Sequence, residues 1–359
     1  MIKPIAIYLP QFHPIPENDI WWGKGFTEWT NVVKSQPRFE GHYQPHLPAD
    51  LGFYDLRLKE GRLAQEELAK NYGIHGFCYY HYWFNGKRLL YEPLDRKLKN
   101  ANEDLPFMMC WANENWTRTW DGEENEILLE QEYSFEDDLN HIQHLISYFK
   151  DDRYIKVDGK PVFIIYRPKF FPDIEKTIQI WRDEVKKAGF PDLYIGFSQN
   201  FEHKFEPKTK GFDFAFEFQP NFTNISDRMY FPRKFSEKLV RRIKKILKIK
   251  VIELNHYFDY SRFATKQIKK GFKKDVYPGI TPMWDNSARR KEHPFILHDS
   301  TPDKYKIWLK HIKENYPWEG VSDNFLFINA WNEWAEGNHL EPCQKWGTSY
   351  LKVTKEILE

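Results

Sequence analysis

Short apolar runs recur along the chain, and helix-like stretches separate them. Eight such runs can be counted, over residues 5–8, 76–80, 107–111, 162–166, 194–197, 212–218, 280–284 and 325–330. Apolar runs of this length, bounded by polar and turn residues, are typical of buried strands. The stretches between them carry the periodicity of amphipathic helices, most clearly over 56–72, 135–149, 173–188 and 302–316, with a closing helix over 349–358.

Alternation of strand and helix predicts a parallel sheet, and eight repeats favour its closure into a barrel. We therefore predict an α/β fold with a single (β/α)8 TIM barrel domain over residues 1–359 and long loops at its C-terminal face. An open doubly wound sheet is the alternative. Such sheets usually carry a glycine-rich phosphate loop, and the sequence contains none.

Polar and aromatic residues crowd the carboxyl ends of the predicted strands, where barrels of this kind carry their functional groups. Any one of these side chains could be a packing residue or a loop cap, but their recurrence around the whole ring favours a binding cleft. The candidate substrate-binding residues are Tyr8, Gln11, His13, Tyr80, His81, Trp111, Asn113, Glu114, Trp116, Arg118, Tyr166, Arg167, Gln199, Glu217, Trp284, Asn332 and Trp334.

These candidates divide by their chemistry. Aromatic side chains suited to the floor and walls of a cleft are Tyr8, Tyr80, Tyr166 and Trp111. Polar side chains suited to hydrogen bonds with sugar hydroxyls are Asn113, Glu114, Gln199, Glu217 and Asn332. Groups that could instead recognise an anionic sugar or a phosphate are Arg118, Arg167 and His81. The spacing of His13 and His81 matches no metal-ligand motif, so no metal site is predicted.

The eighth apolar run ends at two carboxylates, Glu333 and Glu336, which are flanked by Trp331 and Trp334. Residues three apart point to opposite sides of a continuing strand, so both carboxylates face one pocket only if the chain turns there, as Gly337 permits. A carboxylate pair beside flat indole faces suits glycosidic-bond chemistry, and we predict Glu333 and Glu336 as catalytic residues. The alternative is a capping box or a surface loop, although tryptophan suits a solvated loop poorly.

Composition narrows the function classes. Aromatic residues make up 18% of the chain, an excess that suits carbohydrate binding. A formal net charge of +1 argues against nucleic acid as a partner. The three cysteines, Cys78, Cys110 and Cys343, are widely spaced, and we expect reduced core thiols. The first residues enter a strand directly and no apolar run reaches membrane-spanning length, so a cytoplasmic location is expected.

Two long connections interrupt the alternation. Residues 13–55 contain several prolines and an aromatic-rich run over 21–29, and we predict an ordered loop that walls the cleft. Residues 221–276 include a basic amphipathic segment from Arg233 to Lys250. This segment is either an outer barrel helix with a solvated basic face, or a helix that contacts an acidic partner or the anionic inner face of a membrane.

Four segments resemble the WbsX-type proteins of bacterial surface-polysaccharide gene clusters and, more distantly, the endo-α-mannosidases of glycoside hydrolase family 99. They are IAIYLPQFH at 5–13, WGKGFTEW at 22–29, CWANENWTR at 110–118 and WNEWAEG at 331–337, and they extend over almost the whole chain. WbsX-type proteins are described as glycosyltransferases, whereas the endomannosidases are hydrolases.

The resemblance implies a (β/α)8 barrel and a retaining mechanism without a metal or cofactor. In the endomannosidases, the glutamate that matches Glu333 takes the proton of the sugar's 2-hydroxyl, which attacks the anomeric carbon to form a 1,2-anhydro sugar. The glutamate that matches Glu336 is the general acid and then the base. A carboxyl separation of roughly 5 to 6 Å would suit retention, and one of about 7 to 9 Å inversion. The hydrolase pattern has histidine at Ala335, and this departure leaves the mannose preference open.

We therefore expect a carbohydrate-active enzyme that acts on an α-glycosidic, mannoside-like linkage of a surface polysaccharide or its precursor. One alternative is a nucleotide-sugar glycosyltransferase of lipopolysaccharide (O-antigen) or capsule biosynthesis, against which the missing phosphate loop weighs. Another is a non-catalytic glycan-binding protein of a biosynthetic complex. The expected partner is an oligosaccharide or polysaccharide, and no oligomeric state is predicted.

Overall fold

The computed structural model describes residues 1–118, 123–199, 205–223, 256–290, 293–319 and 323–359, and positions 239, 242, 243, 246 and 247. Within these residues, nine parallel strands form a central ring. They are β1 (Lys3–Tyr8), β2 (Gly76–Phe84), β3 (Phe107–Trp111), β4 (Lys160–Ile165), β5 (Tyr194–Gln199), β6 (Phe214–Glu217), β7 (Val276–Tyr277), β8 (Gly279–Ile280) and β9 (Phe325–Ile328).

The ring is a nearly closed barrel, paired in the order β7-β6-β5-β4-β3-β2-β1-β9-β8. Only Pro278 separates β7, which pairs with β6, from β8, which pairs with β9. Because proline has no backbone N–H, it interrupts the ladder, and the chain itself closes the ring at this point. The predicted α/β barrel is therefore confirmed, with its seventh strand split in two.

The predicted seventh strand, over 280–284, is wrong at its carboxyl end. The Thr281 hydroxyl donates to the carbonyl of Met283 at 2.7 Å, and the chain leaves the ring. The short strand Trp284–Asp285 then pairs antiparallel with Phe295–His298, in a separate sheet that also contains His256–Asp259. Trp284 is therefore carried by this outer sheet instead of by the barrel.

Nine helices lie within the described ranges. They are α1 (Pro16–Trp22), α2 (Glu28–Lys34), α3 (Lys59–Asn71), α4 (Glu92–Leu98), α5 (Phe135–Phe149), α6 (Ile174–Lys187), α7 (Tyr260–Lys270), α8 (Pro302–Asn315) and α9 (Ser349–Leu358). Ser134, Asp173 and Thr301 cap α5, α6 and α8, each accepting a hydrogen bond from a backbone N–H of the first turn. The five predicted helices agree with α3, α5, α6, α8 and α9 to within three residues.

The strands of the ring are buried on both faces because side chains fill the barrel on one side and helices cover it on the other. All residues of β3 and β9 are buried. In the helix layer, Trp181 of α6 is fully buried, and its Nε1 donates to the carbonyl of Asp138 in α5 at 2.9 Å. Cys78, Cys110 and Cys343 are buried free thiols, as expected.

The first long connection is more regular than the predicted loop, since it contains α1 and α2. A hydrogen bond from the Glu28 N–H to the carbonyl of Gln11, at 3.2 Å, sets the start of α2 against the end of β1. A reciprocal capping box between Thr27 and Thr30 starts the helix. This arrangement places α2 beside the carboxyl ends of the barrel strands.

The basic segment from Arg233 to Lys250 lies mostly outside the described residues, so its membrane contact stays a prediction. Aliphatic side chains at its described positions are exposed: Leu239, Ile243, Ile246 and Leu247. Across the ranges given above, the helices are all too short or too polar to cross a lipid bilayer.

Gly279→Ala should destabilise the barrel by about 3 kcal/mol or more. An added Cβ would lie 1.7 Å from the carbonyl oxygen of Glu217, and backbone on both sides cannot move away. Gly61→Ala is the matched control, because its Cβ would meet Tyr54 at an ordinary 3.4 Å and alanine favours a helix. Urea unfolding measures both variants, and a Gly279→Ala protein as stable as the parent would contradict the barrel register.

Candidate active site

A cavity of about 900 Å³ opens at the carboxyl ends of the barrel strands. Its walls come from the loops that follow β1, β3, β4, β6, β8 and β9 and from the end of β2. The lining residues are Leu9, Gln11, Tyr80, Tyr82, Ala112, Asn113, Glu114, Asn115, Trp116, Thr117, Glu130, Gln131, Tyr133, Tyr166, Arg167, Phe170, Phe218, Trp284, Arg289, Arg290, Glu333 and Glu336.

Glu333 and Glu336 reach this cavity from one tight turn. After β9, the short strand Asn332–Glu333 pairs antiparallel with Asn338–His339, and a single 3-10 turn over Trp334–Glu336 joins them. Gly337 ends the turn with a φ of 52°, in the left-handed region. The turn that the sequence requires is therefore present, and both carboxylates face the same cavity.

One guanidinium joins these two carboxylates to a third. Arg289 Nη1 donates to Glu336 Oε1 at 2.5 Å, and Nη2 donates to Glu333 Oε2 at 2.8 Å. Arg289 Nε and Nη2 also donate to Glu28 Oε1, at 3.0 and 2.5 Å. The Glu28 side chain is fully buried, whereas those of Glu333 and Glu336 keep 6% and 20% exposure. Only Glu333 and Glu336 are therefore open to a ligand in the cavity.

Burial controls the protonation of this cluster. Removal from water raises the pKa of Glu333 well above its usual range, and Arg289 only partly offsets this effect. Burial also raises the pKa of Glu336 and of Glu28, again against the opposing influence of Arg289. The Arg289 guanidinium is hydrogen-bonded to three carboxylates, and burying the excess negative charge is costly. These carboxyl groups therefore hold their protons to higher pH than free glutamates do.

Asp285 holds the turn that carries Arg289. Its Oδ1 accepts from the N–H of Ser287 at 2.9 Å, while its Oδ2 accepts from Gln44 Nε2 at 2.7 Å and bonds His42 Nε2 at 2.6 Å. Burial alone would raise the pKa of Asp285, but the hydrogen bond and charge of His42 keep it below its usual value. The segment that follows α2 therefore positions the arginine turn.

The two functional turns are also in direct contact. A Cβ on Gly337 would lie 2.9 Å from both the Cβ and the carbonyl oxygen of Asp285. Only glycine allows the turn with Glu336 to approach the turn with Arg289 this closely. The contact therefore helps to set the distance between the carboxylate and the guanidinium.

Three phenols complete the inner wall of the cavity. Burial raises the pKa of Tyr80, Tyr82 and Tyr166 far above its usual value, so all three stay protonated. A protonated phenol can donate a hydrogen bond to a sugar oxygen or to a developing negative charge. Glu333 raises the pKa of Tyr80 and Tyr82 further, which indicates that these phenols face the carboxylate.

The structure brings a subset of the predicted binding residues to the cavity. These residues are Gln11, Tyr80, Asn113, Glu114, Trp116, Tyr166, Arg167 and Trp284. Arg167 Nε donates to Glu114 Oε1 at 2.8 Å, and Asn113 Nδ2 donates to the carbonyl of Arg167 at 2.8 Å. Asn113 therefore fixes the loops after β3 and β4 to each other, in addition to lining the cavity.

Other predicted binding residues lie away from the cavity. Tyr8 is in the barrel core and donates to Gln65 Oε1 at 2.7 Å, and His13 is fully buried. His81 and Trp111 pack around His141 of α5, with ring centroids 5.1 and 4.4 Å from its imidazole. Tyr8, His81 and Trp111 lie on strands and point away from the cavity because residues along a strand alternate in direction, whereas His13 lies in the loop after β1.

A second group of predicted binding residues makes structural contacts at the rim formed by the carboxyl ends of the strands. Arg118 pairs with Glu126 at 2.7 Å, and Glu217 pairs with Lys270 at 2.7 Å. Gln199 is buried at the end of β5 and does not line the cavity. The Asn332 amide accepts from the Leu9 N–H at 2.8 Å and donates to the Leu9 carbonyl at 3.0 Å, so it ties two loops together.

The predicted role of the tryptophans beside the carboxylates is wrong. Trp331 is fully buried, and Trp334 stacks on His339 with ring centroids 3.8 Å apart. Trp334 Nε1 donates to Glu341 Oε2 at 2.6 Å, below the turn. Neither indole offers a free face to a sugar, and the cavity takes its indole rings from Trp116 and Trp284 instead.

Arg289, Glu28 and Tyr82 are site residues that are absent from the set predicted from the sequence. Glu28 lies within the quoted run WGKGFTEW, where a carboxylate beside tryptophan was a detectable signal. Arg289 follows the seventh strand by only nine residues, but nothing local distinguishes it from Arg290. Within the parts of the chain described, no three His, Cys, Asp or Glu side chains are grouped to hold a metal ion.

The chain matches a family model, two related proteins and two solved structures. The family model described as "Glycosyltransferase WbsX" matches residues 4–354. Two proteins described as "Uncharacterized protein WxcX", from two strains of Xanthomonas campestris pv. campestris, are each 40% identical over 99% of this chain. The matched region is 49% of each relative, so the chain spans about half the length of these curated relatives.

Two solved structures share the fold. The GH99 endo-alpha-mannosidase from Bacteroides thetaiotaomicron, in complex with BIS-TRIS-propane, has a TM-score of 0.58 and 13% identity, covering 99% of this chain and 96% of that one. A structure described as "Glycoside hydrolase-like protein" has a TM-score of 0.56 and 14% identity, covering 100% and 94%. At 13–14% sequence identity, this similarity shows a shared fold only.

Glu341 should make the stability of the protein depend on pH. It is buried beneath the turn, accepts hydrogen bonds from Trp334, Tyr54 and Gln65, and burial raises its pKa from 4.5 to about 7. Between these two pH values the native state holds a proton that the unfolded state has lost, so this contribution to stability falls as pH rises. The free energy of unfolding of the parent, relative to Glu341→Gln, should fall by up to about 3 kcal/mol.

Urea unfolding of both proteins between pH 4.5 and 8 measures this difference. The other buried carboxylates are present in both proteins, so their contributions to the pH dependence cancel in the difference. Parallel stability curves across this range would contradict a buried Glu341 with a raised pKa.

Proposed function

Because this chain belongs to the glycosyltransferase WbsX family, we propose that it is a carbohydrate-active enzyme whose reacting groups are Glu333 and Glu336. Its proposed substrate is an α-glycosidic, mannoside-like linkage of a surface polysaccharide or of its precursor. The observation that carries the proposal is the pair of carboxylates on one turn, open to one cavity and bonded to one guanidinium. This arrangement provides a proton donor and a proton acceptor side by side.

The proposed reaction retains the anomeric configuration and has two steps. First, Glu333 accepts the proton of the sugar's 2-hydroxyl, O2 attacks the anomeric carbon, and Glu336 donates a proton to the leaving oxygen as its bond breaks. A 1,2-anhydro sugar results. Then Glu336 accepts a proton from water or an acceptor hydroxyl, whose oxygen bonds the anomeric carbon as the bond from that carbon to O2 breaks, and Glu333 returns the first proton to O2. Burial favours retention of a proton by the cluster, and the proposed roles require this proton to lie on Glu336 when the glycan is bound.

The size and lining of the cavity support an oligosaccharide substrate. About 900 Å³ is at the upper end of the ~300–1,000 Å³ typical of ligand sites. Trp116 and Trp284 provide aromatic surface, and the phenols of Tyr80, Tyr82 and Tyr166 provide hydrogen-bond donors. Sugar rings bind through this combination of apolar faces and polar groups.

A nucleotide-sugar glycosyltransferase is the second candidate, favoured by the description of the family. Two arginines of the cavity are already in ion pairs, Arg167 with Glu114 and Arg289 with three carboxylates. A diphosphate group would have to displace carboxylates from these cations. The ion pairs therefore favour a neutral glycan over a nucleotide sugar. A location at the inner face of the membrane, through the basic segment from Arg233 to Lys250, belongs to the leading proposal.

Glu333→Gln and Glu336→Gln should each lower turnover of the source organism's surface polysaccharide by about 10²- to 10⁴-fold. Glutamine fills the same space but neither accepts nor donates the required proton. Product analysis by mass spectrometry measures turnover, and Glu60→Gln, at an exposed position of α3, is the control. Activity retained in both site variants would refute the assignment.

A fluoride leaving group should separate the two roles. Fluoride departs without protonation, so Glu336→Gln should recover activity on an α-glycosyl fluoride, whereas Glu333→Gln should stay inactive. If only Glu333→Gln recovered activity on the fluoride, Glu333 would be the general acid and Glu336 the base.

Isothermal titration calorimetry distinguishes the two candidate functions. We expect fragments of the surface polysaccharide to bind Glu336→Gln, and nucleotide sugars to show no heat of binding, because the arginines are engaged. Binding of a nucleotide sugar without binding of the fragments would favour the glycosyltransferase.

A further inference from the structure

Glu28 is the member of the carboxylate cluster that a ligand cannot reach. Its side chain is fully buried on α2, outside the barrel strands, and its Oε1 accepts two hydrogen bonds from Arg289. Isolated buried carboxylates are costly, so a buried glutamate without access to the cavity needs an electrostatic reason. We find that reason in the effect that Arg289 would have on Glu333 and Glu336 if Glu28 were absent.

Arg289 alone would work against proton donation. A guanidinium bonded to both Glu333 and Glu336 stabilises their ionised forms, and a fully ionised pair has no proton to donate. Glu28 competes for the same Nη2 that bonds Glu333, and its charge offsets that of the arginine. Without Glu28, the Arg289 guanidinium would be bonded to two carboxylates; with Glu28 present, it is bonded to three.

We propose that Glu28 is a positioning residue that both holds and neutralises Arg289, so that the Glu333/Glu336 pair keeps one proton ready for donation. The inference rests on the proposed function only in naming this pair as the reacting groups. It assigns a role to the WGKGFTEW segment: the connection after β1 supplies the charge that makes a general acid possible at the end of β9.

Other groups that face the pair do not replace this role. Arg290 lowers the pKa of Glu336, in the same direction as Arg289. Tyr80, Tyr82 and Tyr166 are neutral phenols at ordinary pH because burial raises their pKa. Within the pair, Glu336 raises the pKa of Glu333. Outside the pair, Glu28 is a carboxylate that does so too, and its own pKa responds in turn to Glu336.

Infrared titration of the substrate-free protein tests the proposal. The carbonyl stretch of protonated carboxylic acid is followed against pH, and the band of the pair is identified as the one lost in Glu333→Gln or Glu336→Gln. In Glu28→Gln, the midpoint of this band should fall by about one pH unit or more, a tenfold weaker affinity for the proton. The same midpoint as in the parent would overturn the proposal.

Glu103→Gln is the matched control. Glu103 is also a fully buried carboxylate that accepts two hydrogen bonds from one arginine, Arg62, but it lies away from the cavity. Its loss should lower the stability of the protein and leave the midpoint of the pair unchanged. An equal shift in both variants would mean that the titration reports general loosening of the fold, and would also overturn the proposal.

If Glu28→Gln does not fold, the double variant Glu28→Gln/Arg289→Gln decides. Without the guanidinium, nothing stabilises the ionised forms of Glu333 and Glu336, so the infrared midpoint of the pair in the double variant should lie at or above that of the parent. A midpoint below that of the parent would overturn the neutralising role. None of these measurements uses turnover, so an unexpected substrate would not affect their outcome.

Discussion

The active end of this barrel depends on how one buried arginine is balanced. Arg289 is surrounded by carboxylates from two other parts of the chain, Glu28 on α2 and Glu333 and Glu336 beyond β9. A buried charge is tolerated only where partners compensate it, so these segments must converge for the fold to be stable. The same requirement brings the proposed reacting groups, Glu333 and Glu336, together.

The barrel makes this convergence possible by ending its strands at one rim. Its loops are then fixed to one another by specific contacts instead of by packing alone. Asn332 pairs with the backbone of Leu9, Asn113 bonds the backbone of Arg167, and Asp285 links the turn of Arg289 to His42 and Gln44. Groups that must act within a fraction of an ångström are thereby held on a rigid frame.

Electrostatics connects this frame to the proposed chemistry. A barrel by itself does not specify a reaction, because the same fold carries many activities. Here the cluster holds more carboxylates than cations, and burial raises the pKa of each of its carboxyl groups. The proposed acid–base cleavage or transfer of a glycosyl group requires one carboxyl group of the pair to be protonated and the other ionised. Whether water or a sugar hydroxyl accepts the glycosyl group depends on what occupies the cavity beside Glu336.

Local patterns determined the order of strands and helices. The 107–111, 135–149 and 349–358 predictions coincide with β3, α5 and α9, because hydrophobic periodicity is a property of neighbouring residues. The break of an apolar run by Glu333 and Glu336 is equally local, and it indicated where the candidate catalytic turn lies. In the first long connection, over residues 13–55, the prolines and aromatic residues masked the helical pattern of α1 and α2. Contacts with the barrel rim stabilise these two helices.

Tertiary structure alone decided which side chains meet. Glu28 and Arg289 are separated by 261 residues, and no pattern along the chain pairs them. The direction of Trp331 and Trp334 likewise follows from the backbone of the turn, which sends both indoles into the core while the carboxylates face the cavity. Residue type and spacing show which groups are available, but the balance of buried charge depends on distances that only the folded chain sets.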